Sequence, residues 1–558
     1  MRVAFDSCGP NAAGEVSRSD LCTAIESMDL KDKGPVILAT IKKHAGEMAG
    51  WAEVEKLSRK GIRMLRSELN QPGGPAPDAV AAAVEKLEAP AARAVAAAGA
   101  VFPPDFVLNP GWKGGHVPVE EYKAGGDGAA PSGDKWRTYD GSGQYPALPF
   151  LGGAGAPYSL CVKSTHEPKD LPSAKTVVEK LHLRSPTSGG FLAHPNDVSG
   201  VLLAMATLVA KELGLGSDDA GDAQSGAGAI NGRSSYLDLQ LLYGRSEEEC
   251  AAIREGASGR VKADAIAARG KAGGAAVEAL LTVFSRNHNY IAENVAMRVA
   301  SGGDDDEIVF QIARHVNILA LRSVFLKDYV PFLGAGVHMP EAMTVPPMAA
   351  PSTPGQFGVN GCVELDLMLR GLAAMEPEEG ILAEAGSVEE ALVSASKAKC
   401  GWSTRCNLPA RLAASEVAAV ERARAAGVCT LNEFRLQMGL NAWANFDEMT
   451  QEPELAEELK ELYGDVDNCE LYTGLLCEYN VANHGAMLPH TAHMCSLPLN
   501  IIGADRWFSE EVMADAELYT NWGLEHAKGA SLAGLIAQHT GVKGDGAKSV
   551  FNVSALSA

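Results

Sequence analysis

Positive charge is scarce in this chain relative to negative. Its 558 residues carry 48 Lys and Arg against 70 Asp and Glu, for a formal net charge of -22. So acidic a surface repels nucleic acid and anionic membranes, and neither is expected as a partner. Long apolar runs are also missing. The longest, about 13 residues ending before Lys211, is too short to cross a bilayer, so no transmembrane segment is expected. The opening Met1-Arg2-Val3-Ala4-Phe5-Asp6 has no apolar stretch behind a basic cap, which argues against a secretory signal there. The 11 cysteines are an odd number with no Cys-x-x-Cys pair, which points to reduced thiols and an intracellular, cytoplasmic setting. There is no Gly-x-Ser-x-Gly elbow for serine hydrolysis and no Walker loop for nucleotide phosphates. No repeat of about 20 to 50 residues and no strand-rich module is visible.

What is present is helical pattern, with 46% hydrophobic residues to build a core. Residues 1–100 read as alanine-rich helices, broken at Gln71-Pro72-Gly73-Gly74-Pro75. Residues 103–160, dense in Gly and Pro, read as an irregular segment. Val198, Val201, Leu202, Met205, Leu208 and Val209 form an apolar helical stripe, with Asn196 or Asp197 as the expected N-cap. Gly200, Ala204, Thr207 and Lys211 make a second face, fit for close helix packing or for a flat cofactor. Residues 217–231 read as a polar loop and 340–358 as a Pro-rich connection. A further helix spans 362–375, with Leu365, Met368, Leu369, Leu372 and Met375 as its stripe and Asp366 and Arg370 placed to pair. Helices return over 384–480. The class is mostly α, with a main domain over 131–558 and an N-terminal region, 1–130, packed on it.

Several stretches, in order along the chain, carry a resemblance. They are Ser234-Ser235-Tyr236-Leu237-Asp238-Leu239-Gln240, then Ser285-Arg286-Asn287-His288-Asn289, then Leu431-Asn432-Glu433-Phe434-Arg435. Glu461-Leu462-Tyr463-Gly464-Asp465-Val466-Asp467-Asn468 continues into Cys469-Glu470-Leu471-Tyr472-Thr473-Gly474-Leu475 and is the most specific of them. Gly503-Ala504-Asp505-Arg506-Trp507-Phe508 and Leu518-Tyr519-Thr520-Asn521-Trp522-Gly523 follow. Together they resemble the animal-type haem peroxidase and cyclooxygenase superfamily, most of all the dioxygenase half of the fungal linoleate diol synthases. The resemblance implies a haem-peroxidase-like helical domain. It also implies haem between a distal and a proximal helix, a distal histidine that assists peroxide, and a tyrosyl radical that takes hydrogen from a fatty acid before O2 adds.

Residue by residue, this chain departs from that pattern. Leu372 stands where the axial histidine belongs and Leu369 where the radical tyrosine belongs. Arg370 matches the family arginine, Gly371 replaces the tryptophan, and Lys211 takes the distal-histidine position. Leucine has no lone pair for iron and no O–H to lose as a radical. A protonated lysine is no base for peroxide unless burial lowers its pKa. The expectation is a degenerate member that has lost haem and serves binding or regulation. The alternative is an active, prostaglandin-synthase-like dioxygenase or peroxidase with another iron ligand, His315, His338 and His484 being the nearest histidines. Fatty acid or another lipid is the ligand class that the resemblance implies.

The resemblance also places a calcium site at Glu212, Ser234, Tyr236, Asp238 and Gln240, with Glu212 one methylene longer than the family aspartate and Gln240 in a hydroxyl's place. A tight turn is the other reading. Arg286 and His288 are either remnants of a haem pocket or residues that hold a helix. His490, His493 and Cys495 are close enough for a weak metal reading.

Overall fold

The computed structural model describes residues 15–17, 48–50, 135–144, 152–156, 158, 160, 162, 164–184, 190–215, 230–263, 265–268, 273–298, 305–333, 361–380, 384–437, 441–450, 452–478, 505–508 and 510–557. The helices expected near residue 80, the 340–358 connection, most of the 217–231 loop, and His338, His484, His490, His493 and Cys495 lie outside these residues.

The core is built around two antiparallel-packed helices, α2 (Ala275–Ala296) and α3 (Asp306–Val324). Every residue of α3 from Val309 to Val324 is buried, including the polar Gln311, Arg314, His315, Asn317, Arg322 and Ser323. Asp305 caps it by accepting from Ile308 N, and Asp306 and Glu307 sit in the first turn, where the helix dipole favours acid. The span Asp306–Leu333 is long and apolar enough to cross a membrane by length and composition, but 94% of its apolar window is buried inside the protein. Around this pair pack α1 (Gly200–Glu212), α5 (Val388–Lys397), α7 (Asn521–Gly529) and α8 (Leu532–Thr540). Helix α4 (Val363–Arg370) packs on the short helix Leu471–Cys477, and α6 (Ala413–Ala425) packs on the helical stretch 174–182. Strand is minor among the described residues: β1 (Glu15–Ser17) pairs with β2 (Met48–Gly50), and β3 (Lys543–Gly544) with β4 (Leu556–Ser557).

Three expectations change. Residues 15–17 and 48–50 are antiparallel strand rather than helix, with Glu15 opposite Gly50, a poor helix former. Helix α1 starts at Gly200, with Ser199 rather than Asn196 or Asp197 at the N-cap position and no side-chain capping bond. The chain just before it is committed to extended pairing: Val198 bridges Asn552, Ser199 bridges Lys399, and Gly200 N donates to Ala398 O at 2.9 Å. The helix expected over 362–375 is α-helical only to Arg370 and tightens to 3₁₀ over Gly371–Met375. Glycine at the switch weakens the α-helix, and Ser403 Oγ takes the Gly371 carbonyl at 3.1 Å.

The small-residue face of α1 serves close packing at its start. A Cβ added at Gly200 would lie 2.9 Å from the Ala395 carbonyl oxygen of α5. Cys400 N donates to Val198 O at 2.8 Å and Gly401 N to Met375 O at 3.0 Å, which ties the start of α1 to the end of the 3₁₀ segment. At the other end, a Cβ at Gly361 would meet Leu215 Cδ2 at 3.3 Å. Helix α1 and the α4–3₁₀ segment therefore run antiparallel side by side, and α1 packs on 371–375.

Candidate functional site

The distal and proximal segments of the sequence reading are thus neighbours. Leu369 is buried and Leu372 half-buried, and both carry only hydrocarbon. Lys211, half-buried in the last turn of α1, runs past Gly273, where an added Cβ would lie 3.3 Å from Lys211 Cε. Arg370 is buried behind α4. Its Nη1 lies 3.4 Å from Glu416 Oε1, and its Nε lies 4.0 Å from Asp366, the partner expected from spacing. Glu416 in turn accepts from Tyr472 at 2.7 Å and stands 3.9 Å from His182 Nδ1. Burial pushes the His182 imidazole down to about 3, so it is neutral in this cluster.

The five residues placed at a calcium loop do come together, but as a self-satisfied network. Glu212 accepts from the amides of Gln240 at 2.8 Å and Leu241 at 2.9 Å. It caps the helix Gln240–Tyr243, whose N-cap residue Leu239 is left-handed at φ 52. Burial raises the Glu212 carboxyl to about 7, against those two amides and Arg233. Ser234 Oγ donates to Asp238 Oδ2 at 2.6 Å and accepts from Tyr236 N at 3.0 Å. The Gln240 amide accepts from Ser234 N at 3.2 Å and donates to Tyr139 O at 2.8 Å.

The countercharge here is Arg137, which the sequence reading left inside an irregular stretch. Its guanidinium is buried between two buried carboxylates, paired with Asp238 through Nη1 and with Asp505 at 2.7 Å through Nη2. Gln144 completes the clasp, accepting from Arg137 at 2.7 Å and donating to both Asp238 oxygens at 3.0 and 3.1 Å. Burial pulls the guanidinium pKa down, but Asp505 and Asp238 outweigh it and hold the pKa raised. Asp505 goes up to about 6 because burial and Asp238 exceed the pull of Arg137. A buried carboxylate requires a countercharge, so Asp238 was the available signal that a cation must come from elsewhere in the chain.

The remaining candidates have structural partners. His288 is fully buried; its Nε2 faces Gly259 O at 2.9 Å and its Nδ1 faces Tyr243 Oη at 2.8 Å. Arg286 is on the surface, donating to His539 O at 2.7 Å and lying 3.5 Å from Glu389. His315 is closed in: its Nε2 accepts from Arg137 N at 3.1 Å, and Trp136, Trp507 and Tyr519 surround the ring at 4.7 to 5.7 Å. Arg435 forms an ion pair with Glu478 at 3.1 Å and stacks on Trp443. Among the described residues, no three His, Cys, Asp or Glu side chains cluster as metal ligands.

A cleft of about 480 Å³ opens beside α4 and α6, walled by Leu367, Val420, Ala423, Leu471 and Tyr472. Its cation, Arg424, is held by Glu470 through two bonds of 2.6 and 3.0 Å.

Known proteins agree with this architecture. Residues 410–551 match the family model described as animal haem peroxidase. The 7,8-linoleate diol synthase of Pyricularia oryzae is 27% identical over 474 residues, 70% of this chain and 40% of its own length. The linoleate diol synthase of Gaeumannomyces graminis is 25% identical over 480 residues, again 40% of its own length. The chain therefore spans about two fifths of these relatives. The solved fatty acid alpha-dioxygenase of Oryza sativa superposes with a TM-score of 0.62 at 16% identity, covering 85% of this chain and 98% of that one. The fold is thus haem-peroxidase-like: residues 410–551 are similar to the animal haem peroxidase family, and the chain is similar to the fungal linoleate diol synthases over part of their length.

Proposed function

We propose that this chain keeps the peroxidase fold without the haem chemistry and acts by binding, in a regulatory or scaffolding role. The observation that carries this reading is the donor set at the matched positions. Leu372 and Leu369 offer neither a lone pair nor a phenol, and Lys211 offers an ammonium. The residues present do not fit a haem held from the proximal helix. The family match beginning at residue 410, past both helices, is in keeping with divergence there. His315, the first substitute ligand to consider, has its Nε2 engaged by Arg137 N and its ring enclosed by Trp136, Trp507 and Tyr519. The relatives' names carry linoleate, so a fatty acid or similar lipid is the ligand class we assign. The cleft beside α4 offers apolar walls, while Arg424 is already neutralised, so a lipid's carboxylate gains little there. The test is the visible spectrum of protein produced with ample haem, together with oxygen uptake on linoleate. We expect no Soret band and no uptake. A stoichiometric haem band with linoleate-dependent oxygen consumption would overturn the reading.

A further inference from the structure

Where α2 meets α7 and α8, three donors from three helices converge. Asn287 is fully buried in α2. Its amide oxygen lies 3.0 Å from His526 Nε2 of α7 and 3.1 Å from His539 Nε2 of α8. Its amide nitrogen is spent on Asn317 Oδ1 at 2.8 Å, which fixes the oxygen end toward the imidazoles. Ligands at bond lengths of about 2.1 Å stand about 3.0 Å apart in cis octahedral positions and about 3.4 Å apart in a tetrahedron. The oxygen-to-nitrogen separations here match the octahedral value and are also ordinary hydrogen-bond lengths, so a cation enters only by displacing the two bonds to Asn287.

The rings are also held in place. His526 stacks on Trp522 at 5.1 Å and 11°, and Tyr290 packs against His526 at 5.5 Å and His539 at 5.9 Å. Both imidazoles are half-buried, so solvent reaches the pair. We propose that His526, His539 and Asn287 form a binding site for a late first-row divalent cation of the zinc or copper type. Imidazole nitrogen with one neutral oxygen suits that class better than calcium or magnesium, which take mostly oxygen. Binding replaces the two bonds to Asn287 by bonds to the metal, and the ring proton moves from Nε2 to Nδ1, so each imidazole stays neutral. Burial first, then His526 and Arg286, hold His539 down at about 4, and burial lowers His526, so both rings are in the ligand form at neutral pH. Arg286, which donates to the His539 carbonyl, and Arg298, over the Trp522 ring at 4.9 Å, set the limit on affinity.

The experiment is zinc titration by calorimetry on tag-free, chelator-stripped full-length protein, with copper(II) electron paramagnetic resonance in parallel. One equivalent of zinc should bind at micromolar concentration. His526→Ala and His539→Ala should each weaken it about tenfold or more. The copper spectrum should show nitrogen hyperfine structure from two imidazoles. Unchanged affinity in the double variant would overturn the assignment, as would loss of binding on replacing His490 and His493 instead. If the alanine variants do not fold, the copper spectrum of the unmodified protein decides, and coupling to fewer than two nitrogens counts against the site.

Discussion

His288 is a sealed, neutral imidazole, and its environment sets a pH dependence that can be worked through. Gly259 O accepts from Nε2–H, so Nδ1 is the acceptor for the Tyr243 hydroxyl, which itself accepts from Asn317 at 2.9 Å. Adding a proton at Nδ1 would set two donors face to face. Burial, reinforced by Arg254, Arg314 and Arg260 and opposed by Gly259 O, brings the pKa from 6.5 to about 4. The folded value is depressed, so the stabilising contribution is complete above the unfolded value and is lost as pH falls from about 6.5 through about 4. A shift of that size corresponds to about 3 kcal/mol, a large part of a typical stability of about 5–15 kcal/mol. His288→Gln keeps a donor and an acceptor but does not titrate. Urea unfolding of both proteins at pH 7 and pH 4.5 isolates the effect. The unmodified protein should lose roughly 2 kcal/mol more than the variant between the two conditions. Equal losses would refute the account and reopen a role for His288 outside the helix core.

Leu372→His is expected to recover some haem absorbance if space remains beside the 3₁₀ segment, with no oxygen uptake on linoleate while Leu369 stays; oxygenation by this single variant would contradict the role given to position 369. Millimolar calcium is expected to leave the melting temperature unchanged, because Ser234, Asp238 and Gln240 already satisfy one another; a calcium-dependent rise that Asp238→Ala abolishes would restore a metal there. Arg137→Met leaves Asp238 and Asp505 buried without a counterion and should cost about 3–5 kcal/mol in urea unfolding. Asp505 is raised to about 6, so its own contribution is lost as pH rises through that value, and acidification below it should recover part of the variant's deficit; a variant as stable as its parent would refute the clasp.

The fold was legible because its signals are local or ordered along the chain. The stripe Val201, Leu202, Met205, Leu208 and Val209 is buried as its spacing requires. The ends of helices were less legible, because long-range pairing set them: Asn552 and Lys399 hold Val198 and Ser199 extended, which moved the start of α1. The same holds for the polar sites. Ser234, Asp238 and Gln240 lie within one stretch and could be grouped by eye, but Arg137 is 101 residues from Asp238. Asn287 is 239 and 252 residues from its two imidazoles. No short-range pattern encodes such partners; only the demand of a buried charge or amide for company points to them. Arg370 illustrates the limit of spacing rules, since its i–4 partner Asp366 is farther away than Glu416 from another helix.

The Arg137 clasp also sets a schedule for synthesis. Its two acids arrive 101 and 368 residues after the arginine. At about 5–20 residues per second, the nascent chain gains Asp238 within roughly 5–20 s of Arg137 but waits about 20–70 s for Asp505. Over that interval the segment that carries Arg137 can dock on α3 only by burying a guanidinium with half its neutralisation. Docking of the segment that carries Arg137 is therefore a late event, completed only once Asp505 has been made, and the intermediate is what folding helpers and proteases would meet. A stop codon shortly before position 505 would yield a polypeptide with many of its helices and no Asp505 to close its centre.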